Sequence, residues 1–209
     1  MSEYITMPQQ RIPLSNQASI TCTVPNNNLA ADLDLVKEHL RVDNSDEDKS
    51  LILKIQAAQY YFEQFTSVVP LQQTYTQTQR CFTYTNREIN LLRWPVTSIT
   101  SIKYYDSTGV QQTIDPSKYR LADYKPSVIV PNAGFSWPQT DGNQGSVVIT
   151  FVAGFASLAL CPPMYQHAIA EFAGFLFTER DFVVDSRLSE LPDGILRLLS
   201  PCQVITSNQ

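Results

Sequence analysis

Apolar residues in the first half of the chain recur with a helical period. Leu51, Ile52, Ile55, Ala58, Phe62 and Phe65 follow at three- and four-residue steps until Pro70 stops the pattern. Upstream, Leu33, Val36, Lys37 and Leu40 have the spacing of a short amphipathic helix, so residues 32 to 67 predict two helices meeting in a hairpin or corner at "VDNS". From Leu71 the period falls to two. "TYTQTQRCFTYTN" alternates Thr, Tyr and Phe with polar residues, "EINLLRWP" is a short apolar strand, and "SITSIKYYDSTGVQQTI" is strand, turn, strand, with Gly109 at a position favouring positive φ. Prolines 95, 116, 126, 131 and 138 punctuate the block, and "SVVITFVAG" closes it as a buried strand before the Gly154-Phe155 junction.

Helix returns after "CPP": Tyr165, Ala168, Ile169, Phe172, Phe175 and Leu176 form an apolar face running to about Arg180. A linker "DFVVDSRLSE" leads to a short last helix, "LPDGILRLLSP", with Asp193 at its cap and Leu196 and Leu199 inward. A lone amphipathic helix cannot bury its own face, so the helices from both ends must pack together. The expected fold is α+β: a helical core carrying an inserted antiparallel β sandwich or barrel of about six to eight strands. Its parts are an extended polar arm (1–31), the N-terminal helices (32–70), the β domain (71–152), the C-terminal helices (153–200) and a tail (201–209). The arm is expected to be ordered by neighbouring subunits.

Composition narrows the class. A chain of 209 residues that is 43% hydrophobic and 11% aromatic can bury a real core and fits one domain or two small ones. No apolar run reaches the roughly 18 residues of a membrane span, and no basic-then-apolar leader opens the chain, so neither membrane insertion nor secretion by that route is expected. Cysteines 22, 81, 161 and 202 are too scattered for a disulfide framework or a metal knuckle and should be reduced thiols. The net charge of −5 is uneven: residues 32–49 hold seven acids and three bases, residues 71–152 five acids and seven bases. No stretch is basic enough for a nucleic-acid footprint, but stacked subunits could present acidic and basic faces to different neighbours.

The acid-rich "RVDNSDED" (41–48) fails as a calcium loop. Opening at Asp43 puts Asp48 where glycine is required and Lys54 where the closing glutamate belongs; opening at Asp32 puts Lys37 at the glycine position. As a helix start it fits, with Ser45 and Asp48 forming a capping box and Asp46, Glu47 and Asp48 opposing the helix dipole.

Chemistry has little foothold. His39 is expected to be a solvated helix residue, and His167 with Glu171 an ordinary i,i+4 surface pair. Asp181 with Asp185, or Asp115 with Asp123, could be imagined as paired acid and base, but nothing places either pair across a cleft. Neither a nucleophile elbow, a P-loop nor a dinucleotide fingerprint occurs. Trp94 and Trp137, with Tyr104, Tyr105 and Tyr124, could line a sugar or peptide groove, though core and rim of a small sandwich is the expected use. The expected inventory is therefore no catalytic residue, no cofactor and no metal.

Three stretches carry a family resemblance: "LDLVKEHLRVDNSDEDKSLILKIQAAQYYFEQFTS", "INLLRWPVTSITSIKYYDSTGVQQTIDPSKYRL" and "VVITFVAGFASLALCPPMYQHAIAEFAGFLFTERD". Their specific features are "K-x-H-L-R-V-D" followed by "D-E-D", "L-x-x-x-P-V-x-S-I", "D-x-x-G" leading to "Y-R-L", and "V-A-G-F" followed by prolines and a helix. In this order they resemble the head-tail connector (adaptor) proteins of tailed bacteriophages, in the long form with a β insertion, over about residues 32 to 200. The resemblance implies a structural, non-enzymatic virion protein assembled in the host cytoplasm. It would form a ring, twelve copies by the family pattern, beneath the portal, joining the DNA-filled head to stopper or tail proteins while the genome passes through without sequence-specific binding. The same resemblance implies that the C-terminal segment docks on the portal, which points to Leu198, Leu199, Val204 and Ile205. Helices 46–67 and 163–180 would make the subunit core and ring contacts. The polar arm is longer than the family pattern.

Charge adds an expectation of its own: Asp43, Asp46, Glu47 and Asp48 are candidates to line the lumen, where they would repel the DNA backbone. The alternatives are a tail-completion or stopper protein, or a carbohydrate- or peptide-binding module on the β domain.

Overall fold

A computed structural model describes residues 18–82, 88–122, 124–178 and 193–204. Among these residues four α-helices and eight strands follow in the order β1 (Ser19–Val24), α1 (Leu33–Leu40), α2 (Asp48–Thr66), β2 (Gln73–Gln79), β3 (Ile89–Asn90), β4 (Val96–Tyr105), β5 (Gln111–Thr113), β6 (Tyr119–Ala122), β7 (Val128–Pro131), β8 (Val147–Ala153), α3 (Pro163–Thr178) and α4 (Asp193–Leu199). The α+β expectation holds.

The helices form one layer. Leu51, Ile55, Ala58 and Phe62 of α2 pack against Tyr165, Ala168, Ile169 and Phe172 of α3, with Val36 of α1 and Leu199 of α4 closing the cluster. Most of the periodic positions read from the sequence are these core residues, because a 3.6-residue repeat places them on one face, while Ile52 stays outside the cluster. Aromatic edges tie the layer together: Phe62 and Tyr165 have ring centroids 5.6 Å apart, and Tyr61 meets Phe172 edge-on at 5.5 Å.

Two antiparallel sheets make the second layer, in orders β1-β2-β8-β4-β5 and β3-β7-β6. Their facing sides share a core built from Tyr75, Ile102, Ile149 and Phe151 of the larger sheet and Ile89, Tyr119 and Ile129 of the smaller. β2 and β8 pair in register without interruption from Gln73↔Ala153 to Gln79↔Val147, whereas β4 follows β8 with register shifts at 96/98 and 99/101. These irregularities bend the long strand along its neighbour.

Residues 19–24 depart from the arm expectation. They form the edge strand β1, paired to β2 from Ser19↔Thr78 to Val24↔Thr74, so the sheet draws on chain from before the helices as well as after them. The β layer is thus more than an insertion. Thr and Ser at alternating positions supply the cause: Ser19 and Thr23 hydrogen-bond Thr78 and Thr76 across the ladder, at 2.6 and 2.8 Å. Ala30 and Ala31 then enter the helical core. The rest of the expected arm, residues 1–17, lies outside the described residues.

The inward face of β2 is also unexpected, because three of its four inward side chains are glutamines, Gln73, Gln77 and Gln79, all buried. β3 has only two residues, too short to offer a full backbone ladder. Gln77 substitutes for one: its Nε2 donates to the Asn90 carbonyl at 3.0 Å and its Oε1 accepts from the Leu92 amide at 3.0 Å. Gln79 likewise donates to the Cys81 carbonyl at 2.8 Å. Buried amides so satisfied cost little and fix the two sheets' relative position.

Candidate functional site

The acidic corner between α1 and α2 begins where Arg41 takes a left-handed conformation (φ 57°) and ends α1. Lys37 Nζ then reaches Asp48 Oδ1 at 2.7 Å, pinning the start of α2 to α1. The expected capping box does not form: Glu47 occupies the N-cap without a side-chain cap bond, and Ser45 contributes its backbone carbonyl to the Asp48 amide at 3.3 Å. Asp48 is engaged by Lys37, and an aspartate is too short to reach back as glutamate does in such a box. Asp43 and Asp46 project into solvent, and Glu47 and Asp48 are half-exposed. The corner therefore presents a compact negative surface with one of its charges neutralised.

At the other terminus, Leu199, Cys202 and Val204 are buried in the helical core. The Val204 amide donates to the Thr66 carbonyl at 2.8 Å and Gln203 Nε2 to the Phe65 carbonyl at 3.1 Å, so this segment satisfies carbonyls at the C-terminal end of α2. Of the residues expected to dock a partner, Leu199 and Val204 are thus occupied inside the subunit, Leu198 is half-buried at the rim, and Ile205 lies outside the described residues.

His39 and His167 converge on one carboxylate: their Nε2 and Nδ1 lie 3.5 and 3.9 Å from Glu171 Oε1. Sequence spacing indicated only the His167 half of this cluster, because His39 arrives from α1. Among the described residues no group of three His, Cys, Asp or Glu side chains could hold a metal ion. Of the imagined acid pairs, Asp115 is an N-cap, accepting from the Ser117 amide at 2.8 Å, which holds its carboxyl below the usual range. Asp123, Asp181 and Asp185 lie outside the described residues. The two tryptophans do not share a groove. Trp94 packs edge-on against Phe155 beside the helical core, with Lys125 Nζ 5.1 Å from its ring, while Trp137 stacks on Phe82 at 5.0 Å in the β core.

One cluster had no counterpart in the sequence reading. Glu63, on the buried face of α2, is only 6% exposed and sits between the two cores. Its Oε1 accepts from Gln73 Nε2 at 2.7 Å and Gln59 Nε2 at 3.5 Å, and its Oε2 from the Tyr75 hydroxyl at 3.1 Å. Burial pushes this carboxyl above the usual range, against the opposing pull of those three hydrogen bonds and of Arg93. Arg93 does not pair with it: its guanidinium donates to the Leu92 carbonyl and to Gln64 Oε1, both at 3.1 Å, and lies over the Tyr75 ring at 5.7 Å. Glu63 forms the floor of an open polar cleft of about 260 Å³ also lined by Asn26, Gln56, Gln59, Tyr60 and Gln73. The available signal was a glutamate next to Phe62 in the apolar stripe, four residues after another polar residue, Gln59, that the helix also buries.

The layering of helices on a two-sheet β unit defines a fold of α+β class. Residues 30–93 match the family described as phage gp6-like head-tail connector protein, which bears out the resemblance over α1, α2, β2 and β3. No curated protein matches the chain. Solved structures match nearly all of it. A chain of the virion of a native gene transfer agent particle has a TM-score of 0.71 at 19% identity, covering 90% of this chain and 96% of its own. A chain from the neck of an empty particle of that kind, computed with C6 symmetry, has a TM-score of 0.68 at 21% identity, covering 91% and 97%. One from the neck of the native particle, computed with C12 symmetry, has a TM-score of 0.63 at 20% identity, with the same coverage. At these identities the likeness establishes the fold.

Proposed function

We propose that this chain is the subunit of a head-tail connector: a non-enzymatic virion protein that forms a ring in the neck, below the portal, and lets the genome pass. The observation that carries this reading is the coincidence of the connector-family match over residues 30–93 with a fold shared across nine-tenths of the chain with neck proteins. The ring is a dodecamer, in keeping with the C12 symmetry applied to one of those necks. Exposed Asp43 and Asp46 line the lumen, where they discourage phosphate contacts during passage. Portal docking uses the C-terminal segment, with Leu198 at the rim and Ile205 as the candidate contacts, because Leu199 and Val204 belong to the subunit's own core.

The test mixes the purified protein with the portal protein encoded alongside it and images the product by electron microscopy. The comparison is with a chain lacking residues 205–209 and with Leu198→Ser. A cap on the narrow end of the portal, weakened by either change, is the expected result. Free portal beside the intact chain would exclude the adaptor role and favour a stopper or tail-completion protein.

A further inference from the structure

A long surface helix ordinarily turns a polar face to water, but α2 interleaves apolar residues with polar ones on that face. Leu53 and Tyr60 are 65% and 64% exposed, on the side away from Phe62, with exposed Ala57 between them. From Lys49 to Tyr61 the helix carries no acid. Tyr60 also lines the cleft whose floor is Glu63, so the apolar face runs directly into a buried carboxylate.

That carboxylate makes no ion pair among the described residues, and Arg93 pulls on it only from a distance. It accepts three hydrogen bonds, a carboxylate offers about four acceptor sites, and among the described residues no lysine or arginine forms an ion pair with it. A buried charge without a counter-ion is expensive, and a neighbouring cation would remove much of that cost. The same chain carries the complement: residues 71–152 hold seven bases against five acids, and exposed Lys103, Lys118 and Arg120 form no ion pair among the described residues. Lys54, the base on α2 nearest in sequence, lies nine residues before Glu63, about 13 Å along the axis at 1.5 Å per residue.

We propose that the outer face of α2 and the Glu63 cleft receive the basic β domain of an adjacent copy, with a lysine or arginine side chain entering the cleft against the Glu63 carboxylate. This rests on the ring reading. The two surfaces are different parts of one subunit, so the contact is head-to-tail, the kind that closes a ring by repetition. Leu53, Ala57 and Tyr60 supply the apolar area around the ion pair and exclude water from it.

The experiment measures assembly of the full-length chain against concentration and salt by mass photometry, alone and on the portal, for the wild type, Glu63→Gln and Tyr60→Ser. Thermal melts confirm that each variant is folded; Tyr60, being largely exposed, tests the surface even if position 63 proves sensitive. Both variants should require roughly tenfold more protein to assemble, the effect of losing about 1.4 kcal/mol, and Glu63→Gln should also weaken the salt dependence. Unchanged assembly by both folded variants would overturn the proposal and leave the ring reading standing. Variants that self-associate normally but no longer bind portal would overturn it by assigning the cleft to a different partner. A wild type that forms no ring, alone or on the portal, would overturn the ring reading and the proposal together.

Discussion

Lys37 Nζ lies 2.7 Å from Asp48 Oδ1, across the corner that joins the two N-terminal helices. The two side chains are 16% and 31% exposed, so the pair is partly shielded from water. It also brings a cation to a loop that otherwise carries Asp43, Asp46 and Glu47. Removing either partner should cost about 0.5–1 kcal/mol, and a double-mutant cycle of Lys37→Ala with Asp48→Ala in urea should return a coupling of the same size, smaller at high salt. A coupling indistinguishable from zero at low salt would mean that backbone bonds alone hold the corner.

Glu63 makes stability depend on pH in a definite direction. Burial raises its folded-state pKa above the ordinary glutamate value of 4.5, so the folded chain holds this proton to higher pH than the unfolded chain does. Its stabilising contribution is complete below about pH 4.5 and is lost as pH rises through the raised value. The difference in unfolding free energy between wild type and Glu63→Gln should therefore move in favour of the wild type as pH falls from 7.5 to 5. Parallel pH profiles for the two proteins would show that the carboxyl is not shifted.

Gly154, between β8 and the helical return, has φ of 112°, and a Cβ there would lie 2.5 Å from the Leu71 carbonyl oxygen. Neither problem can be relieved by a side-chain rotation, because the obstacle is backbone. Gly154→Ala should destabilise by about 1–3 kcal/mol from the torsion alone, with the clash added. Gly109→Ala offers the comparison: its φ is 79° but its surroundings are open, so its loss should be the smaller in parallel denaturation curves.

The C-terminal segment should divide sharply. Deleting residues 205–209 leaves Leu199, Cys202 and Val204 in place and should not change the melting temperature. Extending the deletion to residue 200 strips Cys202 and Val204 from the core and the Val204 bond from Thr66. Removing those buried side chains should cost at least about 2 kcal/mol, visible as a melting temperature lowered by several degrees.

Much of this architecture was legible because local periodicity is a direct record of burial. Leu51, Ile55 and Phe62 could share a face only in a helix, and the apolar, β-branched run "VVITFVA" has the length and composition of a buried strand, so α2 and β8 follow from the sequence. The start of α3 at Pro163 and the turn at Gly109 are equally local, since each depends on one residue's backbone restrictions. The order of "D-E-D", "P-V-x-S-I" and "V-A-G-F" motifs likewise carried the connector resemblance before any geometry was known.

What remained hidden depends on partners distant in the chain. Nothing near Ser19 says that its strand pairs with residues 74–78, and a run of Thr, Gln and Asn resembles a free arm until a sheet edge captures it. Gln77 looks like an outward residue until the shortness of β3 makes its amide the nearest ladder for residues 90–92. His39 meets Glu171, and Glu63 meets Gln73 and Tyr75, only because helix, helix and sheet stack as they do. The sequence alone determined the helices, most of the strands, the apolar faces of the helices and the α+β class, since these follow from the spacing of apolar residues along one stretch of chain. The tertiary structure alone decided which polar groups were buried together, how β1 joined the sheet and that Val204 faces inward, because burial of a polar or terminal residue is set by whatever packs against it from elsewhere.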